Sequence, residues 1–176
     1  DHIVSTHNLQ KNAYSRGLPD WGEILADDLL RVMKKHGPDR IAAFITEPLA
    51  GSTGVLVPPK GYLERIRKIC NDNDILLIFD EVITGFGRLG TPFASQYFNV
   101  IPDIIVCAKG LTSGTVPMGA VMVKKRIYDS YQDKDNIYIV EDQFHGRELF
   151  EVIQKRSKLD QHEVIKIIYE VQRFLS

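Results

Sequence analysis

Two spacings of apolar residues alternate along the chain. Ile24, Leu25, Leu29, Val32 and Met33 recur at helical spacing between Asp20 and His36-Gly37-Pro38. Leu63, Ile66, Ile69 and Cys70 form one stripe of a helix over residues 62–71. Between these helices and after them stand short apolar runs at 41–48, 75–82, 103–108 and 120–123, the first stopped by Pro48. Such runs, bounded by polar residues, read as strands buried on both faces, as in a parallel sheet. Asp20 with Glu23 three residues later reads as a capping box. His36, in the last turn of the first helix, reads as a partner of the helix dipole rather than a ligand. A short segment with Phe93, Tyr97 and Phe98 leads to the 103–108 strand, and a helix over 124–131 follows the last run. The order helix, strand, helix, strand, helix, strand predicts right-handed crossovers. The fold class is α/β, a mostly parallel sheet flanked by helices.

Around Gln132-Asp133-Lys134-Asp135 the composition changes. One more strand is expected over 136–140, then amphipathic helices over 147–156 and 161–175, the second boxed by Asp160 and Glu163. The predicted division is an α/β domain over 1–131 and a tail over 132–176 made of a strand and two helices.

The bulk numbers narrow the partners. A chain of 176 residues with 44% hydrophobic and 26% charged positions builds one domain with a real core. A net charge of -1 offers no electrostatic footing for nucleic acid or an anionic membrane. Cys70 and Cys107 cannot build a disulfide framework, and Cys107 lies in an apolar strand, so a reducing, cytoplasmic setting is expected. No apolar run approaches the ~20 residues that span a bilayer. The chain opens at Asp1-His2-Ile3 without a methionine, so a piece of a longer protein is expected.

Chemistry enters at the strand ends. Asp80 closes the run Ile75-Leu76-Leu77-Ile78-Phe79, and Lys109 follows Ile104-Ile105-Val106-Cys107-Ala108. Open α/β sheets hold their ligands at the carboxyl ends of their strands, so an acid and an amine come to one rim. The simplest chemistry needing both is a Schiff base on Lys109, with Asp80 keeping a cofactor's ring nitrogen protonated. Lys109 precedes Gly110 and a small-residue loop, where an amine can be partly desolvated. Read blandly, Lys109 is a surface lysine and Asp80 a carboxylate capping a neighbouring helix. Val82 lies on the same side as Asp80 if the strand continues, either packing on a ring face or serving as core. Glu47 is a second carboxylate at a strand's carboxyl end. Nothing in the pattern points to a metal.

The run Ile78-Phe79-Asp80-Glu81-Val82-Ile83-Thr84-Gly85-Phe86-Gly87-Arg88-Leu89-Gly90, followed by Pro102-Asp103-Ile104-Ile105 and Ala108-Lys109-Gly110-Leu111, closely resembles the class III aminotransferases. These are pyridoxal-phosphate enzymes of fold type I, and the resemblance covers roughly residues 1–131. The loop Glu47-Pro48-Leu49-Ala50-Gly51-Ser52-Thr53-Gly54-Val55 resembles the branch that joins ω-amino acids or β-alanine to pyruvate. Ornithine- and 4-aminobutyrate-type members carry a glutamate where Ser52 stands, which argues against a glutarate-type substrate.

The resemblance implies that Lys109 forms the Schiff base with pyridoxal 5'-phosphate and shuttles the proton. Asp80 would pair with the ring nitrogen, Val82 would pack on the ring, and Glu47 would fix the hydrogen bonding around Asp80 and the ring hydroxyl. It implies a homodimer, with Gly114 to Gly119 close to its interface. The implied reaction moves an amino group from an ω-amino acid or amine to a 2-oxo acid such as pyruvate. An aminomutase or decarboxylase on the same scaffold, or a non-catalytic fragment or chimera, are the alternatives. The family's phosphate-binding loop, its ring-stacking aromatic and its C-terminal small domain have no counterpart here, and Phe144-His145-Gly146 is followed by Arg147-Glu148-Leu149 without the family's threonine. That is the pattern of a large-domain fragment. Residues 136–176 weakly resemble the hinge and first C-lobe helices of a protein kinase, without a phosphate loop, a His-Arg-Asp loop or an Asp-Phe-Gly. Kinase activity is therefore not expected of them.

Overall fold

The computed structural model describes residues 1–8 and 18–132. The expected strand at 136–140 and the helices at 147–156 and 161–175 lie outside the described residues. Among those described, four strands form one sheet in the order β1 (Ala43–Thr46), β2 (Leu76–Asp80), β3 (Ile104–Cys107) and β4 (Ala120–Val123). The first three run parallel, and β4 returns antiparallel against β3. The helices are α1 (Gly22–Ala26), α2 (Asp28–His36), α3 (Tyr62–Asp72), α4 (Ala94–Tyr97) and α5 (Lys125–Gln132). The mostly parallel α/β sheet expected from the apolar runs is therefore present.

The core lies on one face of that sheet. Leu25, Ala26, Leu29 and Met33 of α1 and α2 pack with Tyr62, Leu63, Ile66, Ile69 and Cys70 of α3, and both sets meet Ile75, Leu77 and Phe79. Burying side chains of this size contributes roughly 1.5–3 kcal/mol each before the entropy of ordering them is deducted. The strands are not buried on both faces, however. Along β2, Leu77 and Phe79 are sealed while Leu76, Ile78 and Asp80 are only part covered. On the same open face Ile45 is 57% exposed and Val121 60% exposed. Among the described residues, α1, α2 and α3 pack on the other side, which is why a continuous apolar run alternates in burial.

The first helix also departs from its prediction. The apolar stripe is right at Leu25, Leu29, Val32 and Met33, but Ile24 is exposed. The chain breaks into two helices at Asp27, and Asp20 does not cap either. Trp21 precedes α1 at a φ of 75°, so the approach is left-handed and leaves no Asp20–Glu23 box. The two aspartates at the break are engaged elsewhere. Asp27 pairs with Arg65 of α3 at 2.7 Å, and Asp28 pairs with Arg31 and accepts the Val4 N–H. His36 does end α2, where its Nε2 meets the Asp1 carboxylate at 2.5 Å.

A buried carboxylate ties the amino end of the sheet. Asp103, 2% exposed, accepts the Leu77 N–H at 2.9 Å and pairs with Arg67 at 2.7 Å, Lys124 at 2.9 Å and Arg126 at 3.0 Å. Burial alone would raise its pKa. The Leu77 N–H, Lys124 and Arg67 outweigh that and hold it well below the usual carboxylate range. One side chain thereby links α3, β2, β3 and the start of α5.

Candidate active site

Parallel register brings the candidate residues to the opposite, carboxyl end of the sheet. Thr46 pairs with Phe79, so Glu47 and Asp80 stand level on neighbouring strands. Asp80 pairs with Val106, three residues before Lys109. Three loops leave this rim, at 47–56, 81–93 and 108–119.

Asp80 sits on the open face, half-buried, as the last residue of β2. Its Oδ1 accepts the Val82 N–H at 3.0 Å, and its other oxygen has no partner among the described residues. That bond fixes the local placement of Val82. The strand ends at Asp80, and the aspartate's own side chain captures the amide two residues on, as aspartates do at turns. The position of Val82 is therefore set by the turn rather than by strand alternation.

Lys109 opens a short 3-10 turn, Lys109–Thr112, at a φ of 43°. A non-glycine residue in this region is strained and persists only where its surroundings hold it, a pattern that gathers at functional sites. Its carbonyl accepts the Gly114 N–H at 3.0 Å, closing the turn. The expected desolvation is not met, because Lys109 is exposed and forms no ion pair with Asp80. Asp80 and Lys109 share the rim, with the amine free to reach a ligand.

Glu47 is engaged with its own loop. Its Oε2 accepts the Gly51 N–H at 2.9 Å, and Ala50 bridges Leu56 across a small hairpin. It makes no hydrogen bond to Asp80. The hairpin instead meets the next loop, since a Cβ at Gly51 would lie 2.8 Å from the Ile83 side chain. Glycine is needed there for the close approach.

Glu81 is the residue whose role sequence reasoning missed. Its side chain is fully buried and accepts the Ala94 N–H at 2.5 Å, the Ser95 N–H at 2.9 Å and the Thr84 hydroxyl at 3.1 Å. The carboxylate thus caps α4 and clamps the two ends of the 81–93 loop together. A carboxylate directly after Asp80 was visible in the sequence. Its partners stand 13 and 14 residues further on, beyond any local capping pattern. Cys107, next to the site, is sealed; burial raises its pKa above the ordinary thiol value, and it lacks the exposure of a reactive thiol.

Two open clefts among the described residues lie elsewhere. One, of about 650 Å³, runs along Val121, Met122, Val123 and Tyr128, and the other, of about 460 Å³, lies between Trp21, Ile24 and Lys60. Neither includes Asp80 or Lys109.

A carboxylate ending one parallel strand and an amine just past the next match the α/β large domain of fold type I that the sequence resemblance implies. The donor set fits a pyridoxal-type cofactor: Asp80 has an oxygen without a partner for a ring N–H, and Lys109 offers an exposed amine for an aldehyde. The family model for aminotransferase class-III matches residues 6–146, and the chain belongs to that family. An omega-aminotransferase of Caulobacter vibrioides is 56% identical over 146 residues, covering 83% of this chain and 33% of that protein. An omega-amino acid–pyruvate aminotransferase of Pseudomonas putida is 53% identical, over 76% of this chain and 30% of its own length. Among solved structures, an (S)-enantioselective omega-transaminase from Thermomicrobium roseum superposes with a TM-score of 0.71 at 40% identity, over 81% of this chain and 32% of that one. The omega transaminase of Pseudomonas jessenii in complex with PMP matches with a TM-score of 0.67 at 40% identity, over 75% of this chain and 29% of its own. The chain spans about a third of the length of the curated relatives it matches.

Proposed function

We propose that the protein carrying this chain moves an amino group from an ω-amino acid or amine to a 2-oxo acid such as pyruvate, with pyridoxal 5'-phosphate as cofactor. The observation that carries the reading is the delivery of Asp80 and the strained Lys109 to one rim by adjacent parallel strands. When bound, the cofactor supplies an electron sink for the substrate's α-carbon or ω-carbon. Asp80 would hold the ring nitrogen through its unpartnered oxygen, and a negative charge there keeps that nitrogen protonated. Val82 would lie against the ring, and Lys109 would hold the aldehyde end and carry the proton at Nζ. Glu47 would act at one remove, by shaping the 47–56 loop.

Ser52, on the exposed tip of that loop, supports an ω-amino acid and pyruvate pairing over a glutarate-type one. The names of the relatives from Caulobacter vibrioides and Pseudomonas putida support the same pairing. The working unit is a homodimer, with the exposed 114–119 loop near its interface. Residues 132–176 are read as a tail of uncertain origin, the class-III match running into it as far as residue 146.

The test is titration of the purified chain with pyridoxal phosphate, borohydride reduction and peptide mapping. A label concentrated on Lys109 is expected, lost in Lys109→Ala. Labels spread evenly over surface lysines would overturn the assignment. In the intact enzyme, product analysis separates transamination, which yields a second amino product, from an aminomutase, which does not.

A further inference from the structure

This inference rests on the assignment of Lys109 as the reactive amine. We propose that Phe86 is a positioning residue for Lys109: its side chain, wedged against the backbone of Gly110, fixes the direction in which the lysine turn presents its amine.

The contact is close and rigid on both sides. A Cβ added at Gly110 would lie 2.8 Å from the Phe86 Cβ and within 3.1 and 3.2 Å of its ring. Phe86 therefore fills the space that any other residue at 110 would need. What it presses on is backbone, immediately after a lysine held at a φ of 43°. Phe86 is itself held at a φ of 60°, a conformation that a bulky residue keeps only when its neighbours over-determine it.

Those neighbours are visible. The Phe86 N–H donates to the Pro92 carbonyl at 2.6 Å, and its ring meets Phe93 edge to face at 5.3 Å. The Gly85 N–H donates to the Glu81 carbonyl at 2.8 Å. Behind them the Glu81 carboxylate clamps the base of the loop to α4. A continuous path of short contacts thus runs from a buried carboxylate through Phe86 to the lysine turn. Phe86 stays 42% exposed, so it stands at the rim rather than in the core.

The experiment compares the full chain with Phe86→Ala, Phe86→Tyr and Phe86→Leu. Each is treated with pyridoxal phosphate across neutral to alkaline pH, reduced with borohydride, and quantified lysine by lysine by mass spectrometry. Lys68 and Lys125, exposed on α3 and α5, are the references within the molecule. In Phe86→Ala the preference for Lys109 is expected to fall by up to about 100-fold, the cost of misplacing a reacting group by ~1 Å. Phe86→Tyr, which keeps the ring, should restore the preference, and Phe86→Leu should remain folded with an intermediate one. Wild-type preference in Phe86→Ala, or in Phe86→Leu, would overturn the role of Phe86 alone. No preference for Lys109 in the unaltered chain would overturn the amine assignment and this inference with it.

Discussion

At the amino end of the sheet, Asp103 accepts one N–H and pairs with three cations, and it is almost fully buried. At the carboxyl end, Asp80 accepts one N–H and keeps an oxygen without a partner among the described residues. Asp80 ends β2, and Asp103 immediately precedes β3, its neighbour in the sheet. The first is saturated by the protein and holds α3, β2, β3 and α5 together. The second has capacity left for a ligand, and the turn beside it stores strain at Lys109. The same side-chain chemistry serves stability where its partners are internal and serves binding where one is left to come from outside.

That contrast can be broken by substitution. The largest loss of stability is expected from Asp103→Ala, about 3–5 kcal/mol, because Arg67 is left buried without its counter-charge. Urea unfolding measures it, and a loss no larger than that from Asp80→Ala would break the comparison. A pH series sharpens it. The folded pKa of Asp103 lies below the unfolded value of ~3.9, so its contribution is fully present above that value and is lost as pH falls toward the folded one. Acid unfolding should therefore steepen below about pH 4. Asp103→Asn should flatten that limb and Asp80→Asn should not.

Glu81→Ala comes next, with an expected loss of about 2–3 kcal/mol from two buried N–H groups left without an acceptor. Amide exchange at Ala94 and Ser95 should rise with it, and unchanged protection there would refute the clamp. Lys109→Gly should abolish cofactor labelling yet raise stability by up to about 1 kcal/mol, because glycine occupies a positive φ without strain. A drop in the unfolding midpoint would argue that the turn is not strained. Asp80→Asn is expected to change stability least, within about 0.5 kcal/mol, since the amide oxygen still accepts the Val82 N–H. Its effect belongs to cofactor retention.

Much of this was legible from residue order. The run from Ile75 to Phe79 and the run from Ile104 to Ala108 announced parallel strands, and the stripe Leu63, Ile66, Ile69, Cys70 announced the helix packed on one face of the sheet. Asp80 and Lys109 stood out because strand ends are where such sheets work. What stayed hidden depends on partners distant in the chain. Asp103 read as the start of a strand, since Arg67, Lys124 and Arg126 are scattered around it. Glu81 drew no role from the sequence, because the amides it accepts, Ala94 and Ser95, stand 13 and 14 residues further on. The false capping box at Asp20 shows the reverse error. The pattern was local and correct, and a left-handed Trp21 removed the geometry it needs.

The antiparallel return of β4 has a kinetic consequence. Cys107 pairs with Ala120, whereas Ala43 pairs with Leu76 and Ile78 with Ile104 across whole helices. Loop closure costs more as the span lengthens, and local pairings generally form sooner. The β3–β4 hairpin therefore offers the lowest-entropy nucleus in the sheet, and Lys109 lies inside its connecting loop. The Lys109 turn is therefore among the first features organised as the chain folds, with the Asp80 strand docking onto a turn already made.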